Sequence, residues 1–359
     1  MTTRRGFLGA LAAACAANSR LGAAKPPTVL GAHAEILKPG NWLKVAAAAN
    51  QPAVLQQGGR WLSGASNKAG WDPARRIAHY CGKRQSRYPI QHAIYREATH
   101  DWIKQWDDLL APLGTFGHGY DYNIIDPSTG RVYFKNHDVA RKIYYADPPD
   151  YVWSTTSVLP DWPASGGGNT PAMPCVFWSG PMRQVGNQGA IILLVTADNP
   201  FPQSLHWTIY DNQAGAWQHN IPIAGGSLST YERWGDYNAV HNCAVCFASD
   251  GETSYDRPYR LNADRTFTRL PNSPRGIGYL RGNVVTDPVT GNFLVMATDG
   301  TFWELDPTGG GTWGQLADAP SELWPLSRIG TICWAIPAYG VTVWATHIGE
   351  MWLYRHRQR

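Results

Sequence analysis

Two histidines close together in the sequence carry the residue types best suited to acid–base chemistry. His118 and His137 both lie in the stretch FGHGYDYNIIDPSTGRVYFKNHD, with Tyr120 beside the first. Imidazole titrates near neutral pH, so a histidine can remove a proton next to a carboxylate while a tyrosine protonates a leaving oxygen. Because the residues between them are typical of a β-hairpin, we expect both imidazoles at the same end of one sheet. These three residues are the candidate catalytic set.

Cationic and aromatic residues at comparable positions elsewhere are candidates for binding a ligand. Most of them come just before a predicted strand or in the turn after the next one, so they should gather at one end of the fold. Arginine, lysine and histidine together favour an anionic ligand, and tryptophan can stack on a sugar ring. The candidate ligand-binding residues are Lys68, Trp71, Arg233, Tyr237, Arg281, Arg328 and His347.

A turn that recurs at a fixed interval indicates the elements that position these residues. It appears as WDPARRIAHY from Trp71, IDPSTGRVYF from Ile125 and TDPVTGNFLV from Thr286. The interval from Asp126 to Asp287 is close to three times the interval from Asp72 to Asp126. Each Asp-Pro corner precedes a run with strand character, so the chain is predicted to be a repeat protein.

A second recurring unit gives the number of repeats. Five pairs read as the end of one strand and the start of the next, namely Tyr95/Trp102, Tyr145/Trp153, Tyr210/Trp217, Leu261/Phe267 and Leu305/Trp313. A sixth unit stops after Tyr354, while residues 41–45, NWLKV, supply an outer strand with no inner strands before it. We therefore predict an all-β, six-bladed β-propeller of four-stranded antiparallel blades, with the last blade closed by the N-terminal strand, residues 41–45. The predicted blades span approximately 66–102, 117–153, 172–217, 233–267, 281–313, and 326–354 with 41–45.

At these turns and aromatic pairs the chain resembles the kelch-type, galactose-oxidase-like propellers. The resemblance covers nearly all of residues 41–354. It implies that the Asp-Pro turns and the Tyr…Trp turns share one end of the ring. Ligands on propellers usually lie around the channel at the other end, which is the end where His118 and His137 are expected.

The paired histidines are also similar to the constellation of the propeller ulvan lyases. Those enzymes cleave uronic-acid polysaccharides by β-elimination, using histidines, tyrosine and arginine. The resemblance implies that His118 or His137 acts as base, that Tyr120 acts as acid, and that Arg281 or Arg328 neutralises the substrate carboxylate. The expected partner is an acidic polysaccharide or oligosaccharide.

Two other functions stay open at this point. The first is a non-catalytic, kelch-like module that binds carbohydrate or protein through the same end. The second is a copper-radical oxidase, which requires a tyrosine linked to a cysteine beside two histidines and another tyrosine; the sequence assigns no such set. No cofactor and no metal site are predicted, and copper or a structural cation is left open.

The N-terminus has the features of an export signal. Residues 1–24 contain Arg4-Arg5 followed by Gly-Phe-Leu, a short apolar run and a small-residue stretch, which resembles a twin-arginine signal. Without this segment the formal net charge falls from +4 to +1, because Arg4, Arg5 and Arg20 are removed with no acid. We therefore expect a single domain over residues 25–359, periplasmic or secreted, monomeric, with no transmembrane segment and no nucleic-acid partner.

The cysteines predict no metal site. Five remain after residue 24, an odd number. The motif His241-x-Cys243-x-x-Cys246 resembles a metal-binding clip, but a strand places residues three apart on opposite faces. We interpret these cysteines as buried strand residues.

Overall fold

The computed structural model describes most of the chain from residue 27 to residue 357. The described residues are 27–57, 60–62, 68–82, 91–106, 123–126, 129–135, 143–154, 176–179, 190–196, 204–211, 216–227, 233–248, 257–262, 267–277, 283–297, 299–323 and 331–357. Before the first large sheet come helix α1 (Val29–Ile36), strand β1 (Asn41–Val45), helix α2 (Gln51–Leu55) and the two short strands β2 (Gln56–Gln57) and β3 (Arg60–Trp61).

Six four-stranded antiparallel sheets make up the rest of the described chain. Sheet 1 contains β4–β7 (Gly70–Asp72, Ile77–Gly82, Gln91–Arg96, Asp101–Trp106), and sheet 2 contains β8–β11 (Asn123–Ile125, Val132–Lys135, Ile143–Asp147, Val152–Trp153). Sheet 3 contains β12–β15 (Val176–Ser179, Ala190–Thr196, Ser204–Asp211, Ala216–Ser227), and sheet 4 contains β16–β19 (Arg233–Asn238, Cys243–Ala248, Arg257–Leu261, Phe267–Arg269). Sheet 5 contains β20–β23 (Asn283–Thr286, Phe293–Met296, Phe302–Asp306, Thr312–Gln315), and sheet 6 contains β24–β26 (Thr331–Ile336, Val341–Thr346, Met351–Arg355) together with β1.

The first strands of the six sheets contact one another in a closed succession. Strand β4 contacts β8, β8 contacts β12, β12 contacts β16, β16 contacts β20, β20 contacts β24, and β24 contacts β4 again. The outer position of sheet 6 is filled by β1, which pairs with β26 from Asn41↔Arg355 to Val45↔Met351. The prediction of a propeller of four-stranded antiparallel blades is confirmed.

Aspartate and asparagine side chains fix the turn that follows the first strand. Asp72 Oδ1 accepts the backbone N–H groups of Ala74 and Arg75 at 2.9 and 3.0 Å, and Asp287 Oδ2 accepts that of Thr290 at 2.7 Å. Asn238 does the same in sheet 4, where its Oδ1 accepts the N–H of Val240 at 3.0 Å. These side chains satisfy backbone donors that no strand partner reaches. We call the end of the molecule that carries these turns the turn end, and the opposite end, where the chain enters each first strand, the entry end.

Aromatic side chains fill the space between neighbouring sheets. Between sheets 6 and 1, Trp334 packs on Tyr95 and Trp102 with ring centroids 5.6 and 6.0 Å apart. Between sheets 5 and 6, Trp42 of β1 packs on Phe302 at 5.1 Å and on Tyr354 at 4.7 Å. In these two places the space between sheets is a mainly apolar layer. None of the helices in the described residues is long and apolar enough to cross a membrane.

Candidate functional site

The structure places only part of the predicted site. His118, Tyr120, His137, Arg281 and Arg328 all lie outside the described residues. Arg233 is the first residue of β16, at the entry end, and its side chain is likewise outside the description. The site can therefore be built from Lys68, Tyr237, His347 and Trp71 and from the residues around them.

Lys68 precedes sheet 1 and forms an ion pair with a residue of sheet 4. It precedes β4 and forms an isolated bridge with Cys333 of β24. Its Nζ lies 2.8 Å from Oδ1 of Asp236 in β16. Strands β4 and β16 are three steps apart in either direction around the succession of first strands. The ion pair therefore joins two sheets that lie farthest apart in this succession.

Sheet 5 holds the carboxylate of this pair in place. Asp236 Oδ2 accepts a hydrogen bond from the Thr286 hydroxyl at 2.8 Å, and Thr286 also donates its backbone N–H at 3.3 Å. Lys68, Asp236 and Thr286, which we call the axial cluster, join three sheets. An ammonium group, a carboxylate and a hydroxyl can together donate to and accept from sugar hydroxyl and carboxylate groups.

The axial cluster is partly accessible to solvent. The side chains of Lys68 and Asp236 are 17 % and 19 % exposed. By comparison, the Lys44–Glu350 pair on the outer strand is 49 % and 27 % exposed. An ion pair shielded to this degree is screened less by salt than one on the surface, yet a ligand atom can still reach it.

Two predicted binding residues lie toward the turn end instead of the entry end. Tyr237 is the second-last residue of β16, and its hydroxyl donates to Asn242 Oδ1 at 3.3 Å in the turn that follows. The prediction placed Tyr237 at the strand entry, but β16 continues from Arg233 to Asn238 and carries this residue to its far end. Trp71 is the middle residue of β4 and is half-buried against the apolar cluster between sheets 6 and 1. Neither side chain is placed with the axial cluster.

His347 lies at the entry end, as expected for the turn between β25 and β26. It is buried, with 8 % of its surface exposed. Its backbone carbonyl accepts a hydrogen bond from Gln56 Nε2 at 3.2 Å, and Gln51 Nε2 donates to the carbonyls of Thr346 and Glu350 at 2.7 and 2.9 Å. Strand β2 and helix α2 therefore hold this turn.

A second pair of histidines, which the sequence reading missed, lies between sheets 1 and 2. His79 of β5 and His92 of β6 are both fully buried, with Nδ1 of His79 3.0 Å from Nε2 of His92. Trp153 Nε1 lies 3.4 Å from His92 Nδ1, and the Tyr151 ring packs on His79 at 4.5 Å. Burial lowers the pKa of His79 to about 3, with a further contribution from Arg75. The sequence did not predict this contact, because the two histidines lie on different strands and their spacing does not show that the side chains face each other.

The hydrogen bonds of this pair define its tautomers and argue against a metal ion. Trp153 Nε1 can only donate, so His92 Nδ1 accepts and the His92 proton is on Nε2. That proton is directed at His79 Nδ1, which places the His79 proton on Nε2. The two facing nitrogens are thus joined by a proton, so they cannot both ligate a metal. Within the described ranges, no three His, Cys, Asp or Glu side chains are grouped to hold a metal ion.

Arginines at the turn end are bound within the protein. Arg76 donates from Nε and Nη2 to the buried carboxylate of Glu97 at 2.8 and 2.7 Å. Arg131 donates to both oxygens of Asp147 at 2.6 and 2.8 Å and packs 4.2 Å from the Tyr145 ring. These contacts link turns to one another, which is a structural use of arginine.

The cysteines whose side chains the structure describes form no disulfide. Cys81, Cys243 and Cys333 are buried, and burial raises the pKa of Cys243 to about 11. His241 is exposed in the turn before Cys243. The Cys246 side chain and Cys175 lie outside the described residues. A thiol with a raised pKa is not a nucleophile at neutral pH.

Comparisons with known proteins show the fold. No family model matches the chain, and no curated protein matches it. A chain of the mitotic checkpoint complex superposes with a TM-score of 0.53 at 8 % identity, covering 89 % of this chain and 96 % of that one. The fucose-recognising lectin of Aleuria aurantia, a six-bladed propeller, superposes with a TM-score of 0.50 at 11 % identity, covering 82 % and 96 %. TolB from Acinetobacter baumannii gives 0.41 at 10 % identity; the match covers 81 % of this chain but only 55 % of TolB.

Proposed function

We propose that this protein is a six-bladed propeller that binds acidic carbohydrate along the axis of its ring. The observation that carries the proposal is the axial cluster, in which a partly exposed ammonium beside sheet 1 meets a carboxylate of sheet 4. The Aleuria aurantia lectin, whose fold is similar, recognises fucose, which supports a carbohydrate ligand. The acidic character of the ligand is inferred from the cations that the sequence places at the entry end.

The six-bladed, closed form of the ring is part of this proposal. Its support is the closed succession of contacts among the first strands and the pairing of β1 with β26. A closed ring has no free sheet edge, and its first strands surround a single axis on which a ligand can be held from several sides.

We further propose that the bound carbohydrate is a substrate for β-elimination. The support is the residue set His118, His137 and Tyr120, with Arg281 and Arg328, and its similarity to the ulvan lyases. In this mechanism a histidine removes the proton at C5 of a uronate whose carboxylate is neutralised by arginine, and the tyrosine protonates the departing glycosidic oxygen. The kelch-like, non-catalytic carbohydrate-binding module is the second candidate, favoured by the likeness to a lectin.

The chemistry is tested with a panel of uronate polysaccharides. A lyase forms an unsaturated uronate, so ultraviolet absorbance should rise with the wild-type protein, and His118→Ala should abolish the rise while the thermal transition is kept. Retention of a polysaccharide without any rise would favour the binding module. An unchanged rise with His118→Ala would overturn the assigned base.

The axial site is tested by comparing two substitutions of opposite sign. Lys68→Met should weaken binding of a uronate oligosaccharide by about 10- to 100-fold, since a hydrogen bond to a charged group contributes about 1.5–3 kcal/mol. Asp236→Asn removes the competing carboxylate and should strengthen binding. Lys44→Met, at the exposed ion pair on β1, is the matched control and should leave binding unchanged. A folded Lys68→Met protein that binds the oligosaccharide with wild-type affinity would contradict the proposal that the axial cluster binds the ligand.

The export signal proposed from residues 1–24 has a separate test. Replacing Arg4 and Arg5 with lysine should trap the precursor inside the cell, while the same change at Arg20 should not. Export that is indifferent to the Arg4-Arg5 pair would contradict the twin-arginine assignment and with it the periplasmic or secreted location.

A further inference from the structure

The layer between sheets 1 and 2 contains imidazoles at positions that are apolar in other sheets. Register along the strands, counted from the turn after the first strand, matches His79 with Tyr133, Val245, Leu294 and Val343, which are all buried. The residues that match His92 by the same count are Ile143, Pro258, Phe302 and Met351. A histidine pair therefore stands where packing alone would be served by aliphatic or aromatic side chains.

These imidazoles form a directed chain of hydrogen bonds across the layer. Trp153 of sheet 2 donates to His92, and His92 donates to His79 of sheet 1, through the atoms described above. Both nitrogens that receive a hydrogen bond carry no proton. The remaining nitrogen, Nε2 of His79, is buried and has no hydrogen-bond partner among the described residues.

Adding a proton to either ring breaks the chain. If His79 is protonated, its Nδ1–H faces the Nε2–H of His92; if His92 is protonated, its Nδ1–H faces the Nε1–H of Trp153. In both cases two donors oppose each other at a buried contact. The cation also loses its water shell without gaining an acceptor.

The other charged and titratable groups on this layer do not favour an imidazolium. Asp72 is bound by Arg75 at 3.0 Å, and the Tyr151 hydroxyl donates to the same carboxylate at 3.4 Å. Arg75 carries a positive charge that lowers the pKa of His79 further. Cys81, which is opposite His92 in the strand register, is a neutral thiol because burial raises its pKa. The Arg75 and Asp72 charges are thus paired with each other, and the described groups of the layer offer no unpaired negative charge to an imidazolium.

We propose that the His79–His92 pair is an acid-sensitive clasp between sheets 1 and 2, closed while both rings are neutral and released when either ring takes up a proton. The described layers between sheets 4 and 5 and between sheets 6 and 1 are built mainly from aromatic and aliphatic side chains, and the layer between sheets 5 and 6 adds buried His356, whose Nε2 lies 2.7 Å from Glu304 Oε2. Among the described layers, only the one between sheets 1 and 2 has two imidazoles hydrogen-bonded to each other.

The direction of the pH dependence follows from the shifts. Burial lowers the pKa of His79 to about 3, and burial with the neighbouring ring lowers the pKa of His92 well below its ordinary 6.5. A base with a depressed folded-state pKa stabilises the fold above its unfolded pKa, and this contribution is lost as the pH falls below 6.5. With two such groups, the unfolded-to-folded ratio rises by up to about 100-fold for each unit that the pH falls below 6.5. Glu97, Asp101 and Glu304, whose pKa values are lowered, act only below about pH 4.5.

The test is urea unfolding of the full chain between pH 7.5 and pH 5. The wild type should lose stability steeply below pH 6.5. A double substitution, His79→Leu with His92→Met, copies the residues found at these positions in sheets 5 and 6 and should flatten the curve. His241→Leu, at an exposed histidine in a turn of sheet 4, is the matched control and should keep the wild-type curve.

A folded double variant that loses stability as steeply as the wild type would overturn the clasp. If that variant fails to fold, nitrogen NMR of the two imidazole rings in the wild type tests the proposal instead. Both rings should show the Nε2–H tautomer with no titration between pH 7.5 and pH 5 while the protein remains folded. Either ring titrating near pH 6.5 in the folded protein would refute the proposal.

Discussion

Glu97 shows how single side chains connect separate parts of the chain at the turn end. Its carboxylate is 1 % exposed and receives hydrogen bonds from Arg76 of sheet 1, Tyr339 of sheet 6 and Thr28. Thr28 also caps helix α1, since its side chain accepts the Gly31 N–H at 3.1 Å. Burial alone would raise the pKa of Glu97, but these donors together lower it. One carboxylate thus joins the N-terminal helix to two sheets.

Replacing this carboxylate should cost stability and change the acid response. Glu97→Gln should lower the free energy of unfolding by about 2 kcal/mol, because Arg76 is left without its counter-ion. Since the folded pKa is depressed, the wild-type contribution is present above the ordinary 4.5 and is lost as the pH falls. Urea unfolding at pH 7 and pH 4 should therefore show a smaller difference for Glu97→Gln than for wild type. Glu322→Gln, at an exposed site, should behave as wild type.

At the scale of elements, the sequence predicted most of the turns and several of the cross-strand pairs. Asp72, Asp126 and Asp287 were found because a proline follows each one, whereas Asn238 was missed although its amide oxygen binds the same turn amides. The predicted pairs Tyr95/Trp102 and Leu305/Trp313 are cross-strand neighbours, as expected. Trp153, by contrast, pairs with Ala146 instead of Tyr145. Local spacing determines such pairs.

The axial cluster could not be read from spacing. Lys68 precedes the first strand of sheet 1 and Asp236 belongs to sheet 4, so the two meet only because the succession of sheets returns on itself. The buried histidine pair was missed for a related reason. The sequence does not show whether a histidine in the middle of a strand faces solvent or a neighbouring sheet. Sequence reasoning therefore located the ends of the elements and not the contacts between sheets.

The turns also make a prediction about backbone conformation. Gly291 has φ +76°, and a Cβ there would lie 2.7 Å from Asn238 Oδ1 and 2.8 Å from Val240 Cβ. Gly291→Ala should therefore destabilise the fold by about 1–3 kcal/mol, through the left-handed conformation and the clash with sheet 4. Gly310→Ala, where a Cβ meets nothing within 4 Å, should change stability by less than about 0.5 kcal/mol. Equal losses at the two sites in thermal unfolding would contradict this account.

At the scale of the whole molecule, β1 binds the start of the described chain to its end. Its five residues pair with β26, and Trp42 packs among Phe302, Trp344 and Tyr354 with ring centroids 5.1, 5.5 and 4.7 Å away. The strand thereby adds to the apolar layer between sheets 5 and 6 and covers the outer edge of sheet 6. This arrangement is the structural basis of the closed ring proposed above.

Truncating Trp42 should weaken the whole fold. Trp42→Ala should lower the free energy of unfolding by about 3 kcal/mol, because three aromatic partners lose a packed ring. Lys44→Ala in the same strand removes an exposed ion pair and should have a much smaller effect. Calorimetry should show a single transition at lower temperature for Trp42→Ala. If Trp42→Ala removed only a separate, minor transition, β1 would not belong to the cooperative unit of the fold.

The pairing of β1 with β26 also bears on when the protein can finish folding. The paired residues lie near opposite ends of the chain, from Val45↔Met351 to Asn41↔Arg355. During synthesis, β1 leaves the ribosome long before its partner exists, and it must wait with its unpaired backbone groups and Trp42 exposed. Contacts of such long range form slowly. Sheet 6 can therefore be completed only after β26 has been synthesised, and until then the chain should be most dependent on chaperones.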